Sequence, residues 1–179
     1  QLVEEMEKRS EKSDIIGFFP TLIFGGGEPP VHGPQSHFVR MLFENRKWIP
    51  VVRRLSVEGL LHVIHPADIA TLAGHFGASP SQGRNERIIL GNEPVSVNGI
   101  IKAVAKSMGR RHRPWLKITE NRVEAAAKFF GIKMTSWDRH NAFNSDKSYP
   151  SAVMPGDFGL PTAMPDIESG LRAVGFPKR

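Results

Sequence analysis

The run from Ile15 to Phe24 is almost unbroken in apolar residues, and it ends in three consecutive glycines, Gly25, Gly26 and Gly27. Apolar residues at odd and even positions alike leave a strand with no polar face, so both of its faces must be covered. That is the situation of a strand inside a parallel sheet with helices packed on each side. A chain organised around such a strand is α/β, and the strand needs neighbours to satisfy its backbone N–H and C=O groups. Glycine after a strand lets backbone approach a ligand, but the Gly-Lys-Ser/Thr continuation of a phosphate-cradling loop is missing here. The glycines are therefore expected to make a strand-to-helix turn, continued by Pro29-Pro30 and a loop carrying His32, Gly33 and Pro34.

Period and capping place the other elements. Leu2, Val3 and Met6 among Glu and Lys suit the tail of an amphipathic helix whose start is expected before Gln1, and residues 10–13 make a polar turn. Gln35 or Ser36 opens a helix through about Arg46, with Phe38, Leu42 and Phe43 on one face. The β-rich runs Trp48 to Val52 and Leu60 to Ile64 flank Arg53 and Arg54 and are expected to pair in hairpin fashion. A helix from about Pro66 to Phe76 leads to a returning strand near residues 86–91. Ser96 then caps an amphipathic helix closed by Gly109. Val123, Ala126, Ala127 and Phe130 recur at helical spacing before Gly131, and residues 134–158 form a long irregular segment expected as a substrate-side lid.

Composition narrows the function classes. At 179 residues and 40% hydrophobic, the chain can bury one core of ordinary size. It has no Cys, which excludes disulfides, thiolate metal sites and thiol redox chemistry and favours a reducing, cytoplasmic setting. No stretch approaches the roughly 18 apolar residues of a membrane span, so no membrane partner is expected. The formal charge is +6, but Arg53-Arg54, Arg110-Arg111-His112-Arg113 and Lys178-Arg179 are far apart in sequence and carry no interleaved aromatics. Nucleic acid is accordingly not expected as a partner.

Individual residues offer several chemistries. His62 and His65 lie three apart in a strand, which sends them to opposite faces, so no metal site is expected and His65 is expected to pack at the strand end. His32 and His37 flank the glycine loop with no carboxylate at a telling spacing. Asp68 opens a helix, where its charge suits the backbone N–H groups and the macrodipole. Arg53 and Arg54 are either solvated on an exposed hairpin or bound to an anionic ligand, for which a planar, permanently charged guanidinium is suited.

Three segments in order carry a family resemblance. The string from Asp14 to Gly27 resembles an RPT-x-[VI]-[YF]-G-x-G strand and turn, with Phe19 in place of the arginine. His65-Pro66-Ala67-Asp68-Ile69-Ala70 resembles H-V-x-D-[VI]-A, departing at Pro66 and Ala67. Leu90-Gly91, Ser96 and the helix after it resemble a Y-N-L-G-x-x-x-[ST] block, with Gly99 where Glu is common. Together these resemble the C-terminal portion of an extended short-chain dehydrogenase/reductase of the NAD-dependent epimerase/dehydratase family. The match covers residues 14–109, and the tail from Met164 to Pro177 is similar to that family's final helix.

The resemblance implies part of a Rossmann-like parallel sheet plus a small substrate-binding α/β subdomain. Residues 1–33 would be the last part of the dinucleotide-binding domain and residues 34–179 the substrate side, with the returning strand near 86–91. It implies hydride exchange on a nucleotide sugar with NAD or NADP held in a missing N-terminal half, Pro20, Thr21 and Leu22 bordering the cofactor, and none expected to bind this chain alone. Arg53 and Arg54 would meet the substrate diphosphate, and a homodimer is among the assemblies implied. The sequence lacks a G-x-x-G-x-x-G turn and a Tyr-x-x-x-Lys pair: its only tyrosine, Tyr149, precedes Pro150, and Val153 stands four residues on. No catalytic residue is therefore assigned to this chain. The competing expectation is a non-catalytic binding or interaction protein derived from the family.

Overall fold

The computed structural model describes residues 15–26, 35–78, 86–118 and 149–177. The helix tail expected at Leu2 to Met6, the loop with His32, and the helix expected over residues 119–130 lie outside these. The apolar run forms two short strands in line, β1 (Ile16–Pro20) and β2 (Leu22–Ile23). They use different partners. β1 pairs in parallel with β6 (Glu86–Leu90), the returning strand, in the register Ile16 to Glu86 through Pro20 to Leu90. β2 pairs in parallel with β5 (Val63–Ile64).

Thr21 sits at the changeover. Its N–H and its hydroxyl both donate to the Leu90 carbonyl, each at 2.9 Å, and the next N–H, from Leu22, donates to the His62 carbonyl at 3.2 Å. β5 continues through helix α3 (Pro66–Ala78) to β6, the strand-helix-strand unit that the sequence order suggested. Because strand side chains alternate, Val63 belongs to one core and Ile64 to another. The larger core joins Phe24, Val39, Ile100, Val104, Met164 and Leu171, and the smaller joins Ile64, Leu72 and Leu90.

The helices begin where their caps predict. Ser36 Oγ accepts from the Val39 N–H at 3.3 Å at the start of α1 (His37–Glu44), whose buried residue is Val39. Ser96 Oγ accepts from the Gly99 N–H at 3.0 Å at the start of α4 (Val97–Ser107), and Gly109 beyond its end has φ +68°. The final helix, α5 (Ile167–Ala173), packs on α4.

The expected hairpin is not formed. Trp48 to Val52 is a 3-10 turn (Arg46–Trp48) followed by the single helical turn α2 (Ile49–Val52), with Pro50 in its first turn and Ile49 buried. Proline there loses no helical hydrogen bond, since its missing N–H would have had no intrahelical acceptor. Arg53 and Arg54 consequently follow a helical turn. They lead into β3 (Leu55–Val57), which pairs in parallel with β8 (Leu116–Ile118). Gly59, at φ +135°, redirects the chain so that β4 (Leu60–Leu61) pairs antiparallel with β7 (Val95–Ser96) instead.

Gly170 on α5 is a point of close approach: a Cβ added there would lie 2.9 Å from Phe24 Cε1 and would also strike the Met164 sulfur. Gly170→Ala should therefore destabilise the fold by about 1–3 kcal/mol despite alanine's better helix propensity, read as a lowered thermal midpoint. An unchanged or raised midpoint would mean that α5 has room to shift away from Phe24.

Candidate functional site

In an open α/β sheet, ligands sit beyond the carboxyl ends of the strands. Beyond the carboxyl end of β6, the chain turns at Gly91 into Asn92, Glu93 and Pro94, which line a cavity of about 490 Å³. Its other walls come from Val63 of β5, Gly99 and Ala103 of α4, and the segment from Thr162 to Glu168 that enters α5.

Asn92 holds this corner together. Its N–H donates to the Val63 carbonyl at 2.9 Å, its carbonyl is 2.7 Å from His62 Nδ1, and its Nδ2 donates to the Met164 carbonyl at 2.7 Å. The residue is only 7% exposed, and its Oδ1 has no partner among the described residues. Asp68, at the start of α3 and fully buried, accepts the Ala163 N–H on Oδ1 at 2.6 Å. Asn92 and Asp68 thus fix two successive residues, Met164 in the cavity wall and Ala163 just before it. Asp68 occupies the first helical turn, as its charge suits, but its resolved contact is with a segment 95 residues away.

His62 is set in one tautomer by its neighbours. A carbonyl can only accept, so Nδ1 carries the proton toward Asn92, and Nε2 accepts the Tyr149 N–H at 3.0 Å. Both ring nitrogens of this 6% exposed residue are therefore occupied in the neutral form. His65 packs at the strand end as expected, since a Cβ added to Gly25, at φ +136°, would strike its ring. Its Nδ1 accepts the Ala67 N–H at 3.2 Å. His37 is exposed, with its Nδ1 3.2 Å from Arg40 Nη2.

The charged groups of the lining are Glu93, Asp166 and Glu168, with no Lys, Arg or His among them. Asp166 caps α5 by accepting the Ser169 N–H at 2.6 Å, and this backbone hydrogen bond holds its carboxyl below the usual carboxylate range. Glu168 is paired with Lys106 Nζ at 2.7 Å and the Arg172 charge acts on the Asp166 carboxyl, which leaves Glu93 as the lining carboxylate with no cation against it among the described residues. The lining is largely apolar, and its charged acceptors are all carboxylates. It suits hydroxyl or ammonium donors and repels phosphate.

None of the residues anticipated from sequence lines this cavity. Pro20 is exposed at the end of β1, the Thr21 hydroxyl is spent on Leu90, and Leu22 packs against the larger core. Arg53 and Arg54 precede the amino end of β3, and Arg53 Nη1 donates to the Arg111 carbonyl at 3.0 Å. Asn92 was overlooked, although a polar residue directly after the apolar strand Ile88-Ile89-Leu90 and a glycine is a signal for it.

No protein-family model matches the sequence, and no curated protein matches it. Among solved structures, the chain is similar to a UDP-glucose 4-epimerase from Stenotrophomonas maltophila with bound NAD and formylated UDP-arabinopyranose. The TM-score is 0.55 at 16% identity, over 97% of this chain and 50% of that one. A nucleoside-diphosphate-sugar epimerase from Pseudomonas aeruginosa gives a TM-score of 0.52 at 16% identity, over 97% of this chain and 51% of that one. At such identity the likeness shows the fold, that of an α/β Rossmann-like fragment. The chain spans about half the length of the structures it matches.

Two outcomes test the site's construction. His62→Phe keeps a ring but strands the Asn92 carbonyl and the Tyr149 N–H, and should cost about 2–4 kcal/mol in urea unfolding. Asp166→Ala should cost about 1 kcal/mol near neutral pH as a lost cap. Because the folded carboxyl titrates below its unfolded value, the stability it adds is present above the ordinary carboxylate range and lost as pH falls through the lowered value. The gap between wild type and Asp166→Ala should therefore close on acidification, and a gap independent of pH would count against the cap.

Proposed function

We propose that the chain forms the substrate-side half of an NAD(P)-dependent epimerase, dehydratase or reductase that acts on a nucleotide sugar by hydride exchange in the cytoplasm. In this proposal the cavity beside Asn92 takes the sugar's hydroxyl groups. The observation that carries it is the match of 97% of the chain to half of an epimerase solved with NAD and a UDP-sugar derivative. The carboxylates of the cavity support it, because hydroxyl groups are donors that Glu93 and Asp166 can receive. The same carboxylates disfavour the diphosphate, which belongs elsewhere. Arg53 and Arg54 precede the amino end of β3, which supports a role for them apart from the sugar.

The dinucleotide does not fit on this chain's described residues. The sequence has no glycine-rich phosphate turn, and the Thr21 N–H and hydroxyl are both taken by Leu90. Of Pro20, Thr21 and Leu22, Pro20 is the one with an exposed surface to offer. We assign NAD(P) to a partner half lying against β1, where Phe19 is 41% exposed and where, among the described residues, β6 is the only strand paired. Residues 1–33 then belong to the dinucleotide side and residues 34–179 to the substrate side, and this half binds and orients the sugar.

One observation favours the competing reading of a non-catalytic binding protein. The sole tyrosine, Tyr149, gives its backbone N–H to His62 and has no lysine four residues on. Kinetics of the protein assembled with a dinucleotide-binding half separates the two. Turnover supports the enzyme, and tight nucleotide-sugar binding without NAD(P) reduction supports the binding protein. In either case Asn92→Leu should weaken the nucleotide sugar about tenfold, roughly 1.4 kcal/mol, with NAD(P) affinity unchanged. Glu93→Ala, at an exposed position that leaves the wall intact, should act in the same direction. Unchanged affinity in both variants would remove the sugar from this cavity.

A further inference from the structure

Pairing β3 with β8 joins two basic runs that are remote in sequence. The Arg113 N–H donates to the Arg53 carbonyl at 3.0 Å, and the Trp115 and Leu116 N–H groups both donate to the Arg54 carbonyl, at 2.9 and 3.1 Å. The ladder is parallel, with Leu55 opposite Leu116, so both runs stand at the amino ends of their strands. Arg54, Arg110, Arg111 and Arg113 are exposed, and among the described residues none has a carboxylate partner. Lys117, at the next turn of β8, is already paired with Glu58 at 2.7 Å.

Apolar side chains are left bare at the same junction. Trp115 is 71% exposed, Val51 41% and Leu116 37%, and the Val51 carbonyl accepts the Arg54 N–H at 2.9 Å. Arg110 follows the carboxyl end of α4, whereas Gly99 near its start lines the cavity. At 1.5 Å per residue the helix rises about 12 Å from Gly99 to its end at Ser107, so Arg110 lies past the end of α4 remote from Gly99, with Ala103 between them the last residue of α4 in the cavity lining.

We propose that this face docks the protein reversibly on an anionic phospholipid surface. Guanidinium groups bind the phosphates of headgroups, and each is attracted by the negative surface potential. A tryptophan ring is at home at headgroup level, and the exposed Val51 and Leu116 add apolar area at the same junction. Single-stranded nucleic acid would use the arginines and stack a base on Trp115, but it leaves the two aliphatic side chains without a role. An acidic protein segment would engage the arginines and the indole alike, and sedimentation with vesicles of purified lipid distinguishes it from a lipid surface. The contact is peripheral, and among the described residues no helix is long and apolar enough to cross a membrane.

The test is sedimentation of the full chain with vesicles of phosphatidylcholine alone and of phosphatidylcholine mixed with phosphatidylserine. Binding to the mixed vesicles, weakened by salt and absent with phosphatidylcholine alone, is expected. Each arginine lost should cost roughly fivefold, so Arg54→Glu/Arg111→Glu/Arg113→Glu should reduce binding about a hundredfold or more. The corresponding triple Lys variant should bind, because the attraction is to charge. Trp115→Ser, at a position too exposed to matter for folding, should also weaken binding. In a Trp48→Phe/Trp137→Phe background, Trp115 emission should move to the blue on adding mixed vesicles and be quenched by brominated lipid. No sedimentation with the mixed vesicles, unmoved Trp115 emission, or capture of a single-stranded oligonucleotide with the vesicles ignored would each overturn the proposal.

Discussion

The Leu90 carbonyl accepts two hydrogen bonds from Thr21, one from its backbone and one from its side chain, and the chain changes partner at that point. Before Thr21 the apolar run belongs to β6, and after it to β5. A carbonyl has two lone pairs, so the double acceptance leaves none unused where two ladders meet. β5 and β6 are thereby held at successive positions of one strand, and the helix between them, α3, is set across that junction. Phe24, delivered to the end of the run, then becomes a fully buried member of the larger core, where α1, α4 and α5 converge.

The cavity inherits its shape from the same junction. Asn92 follows β6 by two residues and donates back to β5, so its side chain is fixed in direction before any ligand arrives. Its Nδ2 and the Asp68 carboxylate grip neighbouring residues of one segment, and Asp166 in that segment caps α5. Such preorganisation lowers the ordering cost of binding. The Asn92 Oδ1 stays buried in that corner with no partner among the described residues, a cost that the other three hydrogen bonds of Asn92 offset.

Charge is distributed against the average of the molecule. A chain of formal charge +6 lines its cavity with carboxylates and collects around the amino ends of β3 and β8 arginines that have no carboxylate partner among the described residues. The carboxylate grouping is not a property of a sequence segment, and the arginine grouping adds Arg54 to a run that is one. Glu93 and Asp166 are 73 positions apart by number, and Arg54 and Arg111 are 57, and each grouping exists through strand and helix pairing.

Local pattern determined a good deal by itself. The two-faced apolar run required a parallel sheet, Ser36 and Ser96 marked helix starts through their own side chains, and the strand near residues 86–91 followed from its apolar content. These are decided within a few residues, by period and by capping. Trp48 to Val52 defeated that reasoning, because β propensity reports a fit to a pleated surface and no strand was available to offer one. The partner that β3 takes is β8, beyond α4, and β4 takes β7. Which strands meet, that His62 is a bridge between Asn92 and Tyr149, and that Arg54 joins the arginines beside Trp115 were decided by tertiary structure alone. Hydrogen bonds across 30 to 95 residues form only when the whole core has closed, and no window of sequence contains both ends of them.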